Sequence, residues 1–92
     1  MILDFRDKRL EDFLKLGKTK GLNAAHIKKL RFILAALDEA SSPDDLQMPG
    51  FRLHPLIENL KGYWAITVAA NWRVIFQFKG NDVTYVDLVD YH

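Results

Sequence analysis

The stretch "GYWAITVAANWRVIFQFKG", residues 62–80, decides the fold. Its apolar residues recur at every second position, the period of a β-strand whose side chains alternate between two faces. In the first run Trp64, Ile66 and Val68 share one face, and Tyr63, Ala65 and Thr67 the other. In the second, Val74, Phe76 and Phe78 oppose Arg73, Ile75 and Gln77. "KGND" then signals a turn, and "VTYVDLVDYH" reads as a last strand that runs to His92. Upstream, "FRLHP" is a short extended piece in which Pro55 biases His54 towards β geometry.

Before Phe51 the period is helical. "ILDF" alternates and predicts a short opening strand, but "DKRLEDFLKLG" places Leu10, Phe13 and Leu14 on one helical face with Gly17 as a stop. Asn23 caps a longer helix expected from about Ala24 to Ala40, with Ile27, Leu30, Leu34 and Leu37 as its apolar stripe. "SSPDD" ends it and opens a single turn, with Ser42 as cap and Pro43 first. Two helices followed by consecutive strands with short turns predict an α+β fold. The two N-terminal helices pack on one face of an antiparallel β-sheet, and the other face, which carries polar residues, stays available for function. Residues 1–92 form one domain, with no repeat or interdomain linker.

Composition narrows the class. With 49% hydrophobic residues in a chain of 92, there is apolar material for one core, near the lower size at which domains fold unaided. The absence of cysteine removes disulfides, thiolate metal sites and cysteine nucleophiles. No run approaches the roughly 18 apolar residues that span a bilayer, and "MILDFRDK" lacks the apolar stretch of a secretion signal. The expectation is a cytoplasmic protein with no membrane partner. The net charge of +1 hides an uneven layout. From Phe13 to Leu37 there is no acid, while Lys15, Lys18, Lys20, Lys28, Lys29 and Arg31 crowd the same stretch. Such a block favours an anionic partner, either nucleic acid or an acidic protein segment, unless nearby acids balance it in space.

No phosphate-binding loop, dinucleotide fingerprint or zinc-protease helix motif occurs, and capping accounts for Ser41 and Ser42. His26 lies in the basic helix and is expected at the surface. His54 and His92 each end a strand in the sheet-forming half, with Arg73, Asp90 and Tyr91 close in the pattern. Two histidines and one carboxylate make a poor metal set, so the expected chemistry is free of metal and cofactor. It fits cleavage of RNA, which carries its own nucleophile in the 2′-hydroxyl. That reaction needs a base for the hydroxyl, an acid for the departing 5′-oxygen and a cation for the phosphate. Histidine, with its pKa near 6.5, suits the first two tasks, and the planar fork of arginine suits the third. Tyr91 can stack on a base, position the phosphate or donate a proton. Asp90 can accept a proton or orient a histidine. Strand parity puts Asp90 and His92 on one face and Tyr91 on the other.

The pieces "LHPL", "GYW-x-I-T-V", "NWR-x-x-F-x-F" and the closing "DYH" resemble the HigB-type toxins of bacterial toxin–antitoxin systems, within the RelE/ParE superfamily. The similarity runs nearly the whole chain. It implies a RelE/ParE-like fold and a toxin that acts as a ribosome-dependent endoribonuclease, cutting messenger RNA through the 2′-hydroxyl without metal and so stopping translation. It further implies a cognate HigA-type helix-turn-helix antitoxin, with operator DNA engaged only through the antitoxin complex. By the same resemblance the catalytic set falls on His54, Asp90, Tyr91 and His92, and the phosphate-binding arginine on Arg73. One departure stands out: some members carry arginine where this chain has Ala69, so one cationic contact is absent or comes from elsewhere. The superfamily also contains gyrase-directed relatives, so the alternative is a non-catalytic toxin that binds a protein target. The set His54, Arg73, Asp90, Tyr91 and His92 favours the nuclease, because a protein binder has no chemical need of it.

Overall fold

The computed structural model describes residues 1–90. Two helices, α1 (Lys8–Leu16) and α2 (Ile27–Glu39), precede four strands, β1 (His54–Pro55), β2 (Trp64–Ala69), β3 (Trp72–Lys79) and β4 (Asp82–Asp90). The strands form one antiparallel sheet in the order β1-β2-β3-β4, the expected meander.

The helix boundaries follow from capping. Asp7 accepts a hydrogen bond from the Arg9 amide at 2.8 Å to start α1, and Gly17 ends it at φ 71° with its N–H on the Phe13 carbonyl. Asn23 accepts from the Ala25 amide, but the first turn, Ala24–His26, is a 3₁₀ turn, and regular α2 starts only at Ile27. After α2, Asp45 reaches back to the Ser41 and Ser42 amides and fixes the single turn Pro43–Leu46. The opening residues do not form a continuous strand. Ile2 and Phe5 make two isolated parallel bridges to Val83 and Val86, which cover part of the outer edge of β4.

Alternation then sorts the side chains. Ile66, Val68, Val74 and Phe76 point at the helices and meet Leu10, Leu30, Leu34 and Leu37 in the main core. Each fully buried side chain of this size contributes about 1.5–3 kcal/mol. The pairing of β3 with β4 slips between Ile75 and Gln77, so that Tyr85 and Val86 together oppose Phe76. This bulge, with Tyr85 at φ 55°, resets the alternation and lets Val83, Val86 and Leu88 all join the core.

The opposite face differs from the expectation of a polar, open surface. Leu56, Ala65 and Ile75 are buried there in a second cluster with Leu60 and Tyr63. The connection between β1 and β2 folds back over this half of the sheet, held by Leu56 N–H on the Tyr63 carbonyl at 2.9 Å. Val89 packs against the edge of this cluster, and Thr67 and Arg73 are half-buried beside it at the end of the sheet. His26 also departs from expectation. It is 9% exposed and packs edge-on against Trp72, with ring centroids 6.1 Å apart, because the 3₁₀ turn rolls its side chain inward.

Candidate active site on the open face

His54 begins β1 and pairs with Ala65; Ala65 pairs with Ile75, and Ile75 with Asp87, so one rung crosses the whole sheet. Two residues along, the next rung on the same face is Thr67, Arg73 and Val89. Paired residues of an antiparallel sheet share a face, which places His54 and Arg73 on the same side. Standard spacings set their backbones roughly 12 Å apart on the diagonal, a gap that both side chains can span towards one phosphate.

His54 is exposed, and its Nδ1 lies 2.8 Å from the Arg52 carbonyl. A carbonyl only accepts, so Nδ1 carries the proton and donates. In the neutral ring this leaves Nε2 with its lone pair outward, the form of a general base. Arg52 provides that carbonyl from a left-handed backbone at φ 49°, a conformation that costs a non-glycine residue about 1 kcal/mol or more.

Arg73 is anchored in its own turn. One terminal nitrogen, Nη1, donates to the Ala70 carbonyl at 2.6 Å and to the Trp72 carbonyl at 3.1 Å. Nη2 and Nε make no hydrogen bond among the described residues, so half of the fork stays available for a phosphate. Ala69 pairs with Trp72 to close this turn, and Ala70 takes φ 48° within it. Ala69 thus brings a small side chain and no second cation to this turn.

Asp90 pairs with Trp72 and, by alternation from Leu88, falls on the helix side at the exposed end of β4. Arg73 and Asp90 thus lie on adjacent rungs and opposite faces. Tyr91 and His92 lie outside the described residues. Among the described residues, no group of three or more His, Asp or Glu side chains is placed to hold a metal ion, and no helix is long and apolar enough to cross a membrane.

The basic stretch does not act as one surface. Lys15 pairs with Glu11 at 3.0 Å, Lys29 donates to the Gly50 carbonyl at 2.8 Å, and the Arg31 guanidinium lies over the Phe13 ring at 5.5 Å. Lys28 is exposed, and Lys18 and Lys20 line a cavity beside α1. The sequence reading missed the ion pair that closes the base of this cavity. Arg9 binds Asp7 through Nε and Nη2, the latter at 2.6 Å, and the Gly21 carbonyl through Nη1. Burial alone would push the Asp7 carboxyl up. The Arg9 guanidinium and the Arg9 and Leu10 amides outweigh it and hold that carboxyl below the usual range. The same hydrogen bond, less a smaller burial penalty, raises the Arg9 pKa above its usual value. An aspartate two residues ahead of an arginine at a helix start was the signal available for this pair.

A family model described as "RelE-like toxin of type II toxin-antitoxin system HigB" matches residues 3–92. An endoribonuclease HigB of Proteus vulgaris is 38% identical over 92 residues, spanning all of both chains. Toxin HigB-1 of Vibrio cholerae is 40% identical over 91 residues, covering 95% of this chain and 96% of the relative. Among solved structures, the YoeB-YefM complex from Staphylococcus aureus superposes with a TM-score of 0.64 at 20% identity, covering 100% of this chain and 95% of the other. A YafQ mutant from E. coli gives 0.63 at 19% identity, over 98% and 91% of the two chains. At such identities these two support the fold. The full-length sequence matches carry the assignment: the chain belongs to the HigB-like family of RelE-like toxins of type II toxin–antitoxin systems.

Proposed function

We propose that this toxin is an endoribonuclease that cuts messenger RNA on the ribosome, using the RNA's own 2′-hydroxyl as nucleophile. The observation that carries the reading is His54, whose Nδ1–H is spent on the Arg52 carbonyl so that Nε2 faces outward as a base. In the reaction, Nε2 takes the 2′-hydroxyl proton and the 2′-oxygen bonds to phosphorus. The bond from phosphorus to the 5′-oxygen then breaks, and an acid protonates the leaving oxygen. The free edge of the Arg73 fork binds the phosphate oxygens as charge builds on them. Asp90, Tyr91 and His92 are the candidates for the acid and for positioning, with His92 the first choice because histidine donates readily near neutral pH. No metal and no cofactor enters these steps.

An endoribonuclease at 38% identity over the full length favours RNA cleavage over inhibition of a protein target such as gyrase. The toxin–antitoxin family and the fold neighbour solved with YefM support an antitoxin partner. That the partner is of HigA type, that it brings the pair to operator DNA, and that the toxin works in the cytoplasm belong to this proposal. The test is message cleavage by purified protein on translating ribosomes. His54→Gln should cut at least about 100-fold more slowly, the usual scale of a lost general base, with an unchanged unfolding midpoint. His92→Gln, assayed beside it, asks whether the chain end supplies the acid. Wild-type cleavage by the His54 variant would overturn the assignment.

A further inference from the structure

Two cavities meet at Arg9 and Gly21. One, of about 520 Å³, is lined by Lys8, Asp12, Lys18 and Lys20 in addition to that pair. The other, of about 270 Å³, adds Asn23, His26, Trp72 and Leu88. Arg9 is the partition between them. Its guanidinium is held by Asp7 and the Gly21 carbonyl, so it shapes both spaces but has little free charge to offer. Lys8 is likewise paired with Asp12 at 3.2 Å. The ammonium groups of Lys18 and Lys20 form no ion pair or hydrogen bond among the described residues. They are the uncompensated charges of the first cavity.

The second cavity has aromatic walls and an unspent polar edge. His26 is 9% exposed and lies edge-on to Trp72. Its ring nitrogens make no hydrogen bond among the described residues, yet none of those residues has a polar side-chain atom both sealed from solvent and unpartnered. The ring's polar edge must therefore open into the cavity that it lines. Asn23 spends its side-chain oxygen on the Ala25 amide, which leaves its NH₂ as a donor. Flat aromatic walls with donors at the rim suit a nucleobase, and two free cations one partition away suit the phosphates attached to it. Trp72 pairs with Asp90 and directly precedes Arg73, so the second cavity lies on the helix side at the same end of the sheet that carries Arg73 on its other face.

We infer that the paired cavities form a nucleotide subsite for the messenger RNA, with a base against Trp72 and His26 and its phosphates on Lys18 and Lys20. The inference rests on the RNA-cleaving reading and extends it to a nucleotide that flanks the cut. It also gives a use to part of the acid-free stretch that the reaction itself leaves idle.

The test begins with a 2′-O-methyl hexa-adenylate, which cannot be cleaved, titrated into labelled protein. The Trp72 indole N–H and His26 ring signals should shift while the Trp64 indole stays still; shifts confined to the His54 and Arg73 surface overturn the subsite. Lys18→Gln with Lys20→Gln should lower affinity about tenfold and reduce the slope of log affinity against log salt by about 1.4, as two lost single-strand phosphate contacts require. An unchanged slope overturns it. Trp72→Phe should keep most of the affinity and Trp72→Leu should lose about tenfold; equal binding by the two overturns the stacking role. On ribosomes the lysine double variant should bind more weakly only when message is present. Equal weakening on vacant ribosomes overturns the messenger assignment in favour of ribosomal RNA. If His54→Gln abolishes cleavage while the lysine double variant binds and cuts normally, the subsite fails and the nuclease stands. If the cavity signals move but the wild type cuts nothing on ribosomes, the nuclease fails and the subsite stands.

Discussion

The two faces of the sheet are written in the same alternation, but they are built for different ends. The helix side is filled by leucines from α1 and α2, and Phe76, Ile66 and Val74 are fully buried against them. Among the described residues the other side buries Leu56, Ala65 and Ile75, with Leu60, Tyr63 and Val89 packed against them, and it gives way to Thr67 and Arg73 at the end of the sheet. Stability is concentrated on one face, which frees the other to hold an exposed histidine and a half-engaged arginine. Truncation of one buried side chain on each face separates their contributions. Phe76→Ala should cost about 3–5 kcal/mol, enough to leave a domain of this size largely unfolded. Ile75→Ala, beneath a thinner cover, should cost nearer 2 kcal/mol. Urea unfolding of the two variants measures the difference, and equal costs would mean that the second cluster is as much a core as the first.

Arg73 tests the other half of the contrast. Arg73→Lys keeps the charge but cannot both anchor to the turn carbonyls and present a planar edge to phosphate. Message cleavage should fall about 10- to 100-fold, with unfolding stability within about 0.5 kcal/mol of the wild type, as for most surface substitutions. A variant that loses stability and keeps its rate would place Arg73 among the structural residues.

Asp7 is the point where the helix side is most exposed to acid. Its carboxyl sits below the ordinary value of 3.8 in the folded protein because Arg9 and two amides bind the charged form more than burial opposes it. Its contribution is therefore complete above the unfolded pKa and disappears as pH falls through the folded one. Asp7→Asn retains a cap but not the ion pair, and should cost about 1 kcal/mol at pH 7. The gap between variant and wild type should narrow as pH falls below about 4 and be smaller at pH 3 than at pH 7, read from urea midpoints. A gap of the same size at both would show that shape, and not charge, is what Asp7 supplies. Arg9, already protonated throughout and held more firmly so, adds no pH dependence in this range.

The strands were legible because alternation and turn residues are local, and the main helices because their apolar spacing is. Other features depend on contacts between distant residues. The opening "ILDF" has a strand pattern, yet it pairs with β4 as two isolated parallel bridges and not as a continuous strand. His26 looked like one more polar residue of a basic helix, but a 3₁₀ first turn and the reach of Trp72 across the fold bury it. Simple parity along the last strand could not foresee the bulge at Tyr85, which brings Val83 and Val86 to the same face. The site residues were legible first as histidines at strand ends beside Arg73, Asp90 and Tyr91 and then by resemblance, and for His54 the structure adds the Arg52 carbonyl that fixes its tautomer. That bond needs Arg52 in a left-handed conformation, which no arginine in a sequence announces.

The turn between β2 and β3 ties the two faces together, because Trp72 points into the helix side and Arg73 out of the other. Ala70 sits in it at φ 48° and accepts from Arg73 at 2.6 Å. A Cβ in the left-handed region costs about 1 kcal/mol, which glycine avoids, while glycine gives back part of the gain through a freer unfolded chain. Ala70→Gly should therefore stabilise the protein by about 0.5 kcal/mol, a rise of about 2–4 °C in melting temperature for a domain of this length. The carbonyl that holds Arg73 is untouched, so the rate of message cleavage should stay as it is. A higher melting temperature with a slower rate would mean that the stiffness of alanine, and not only the carbonyl, keeps the guanidinium in place. No rise in melting temperature would mean that the turn carries no strain for glycine to relieve, and that the two faces are joined at no cost.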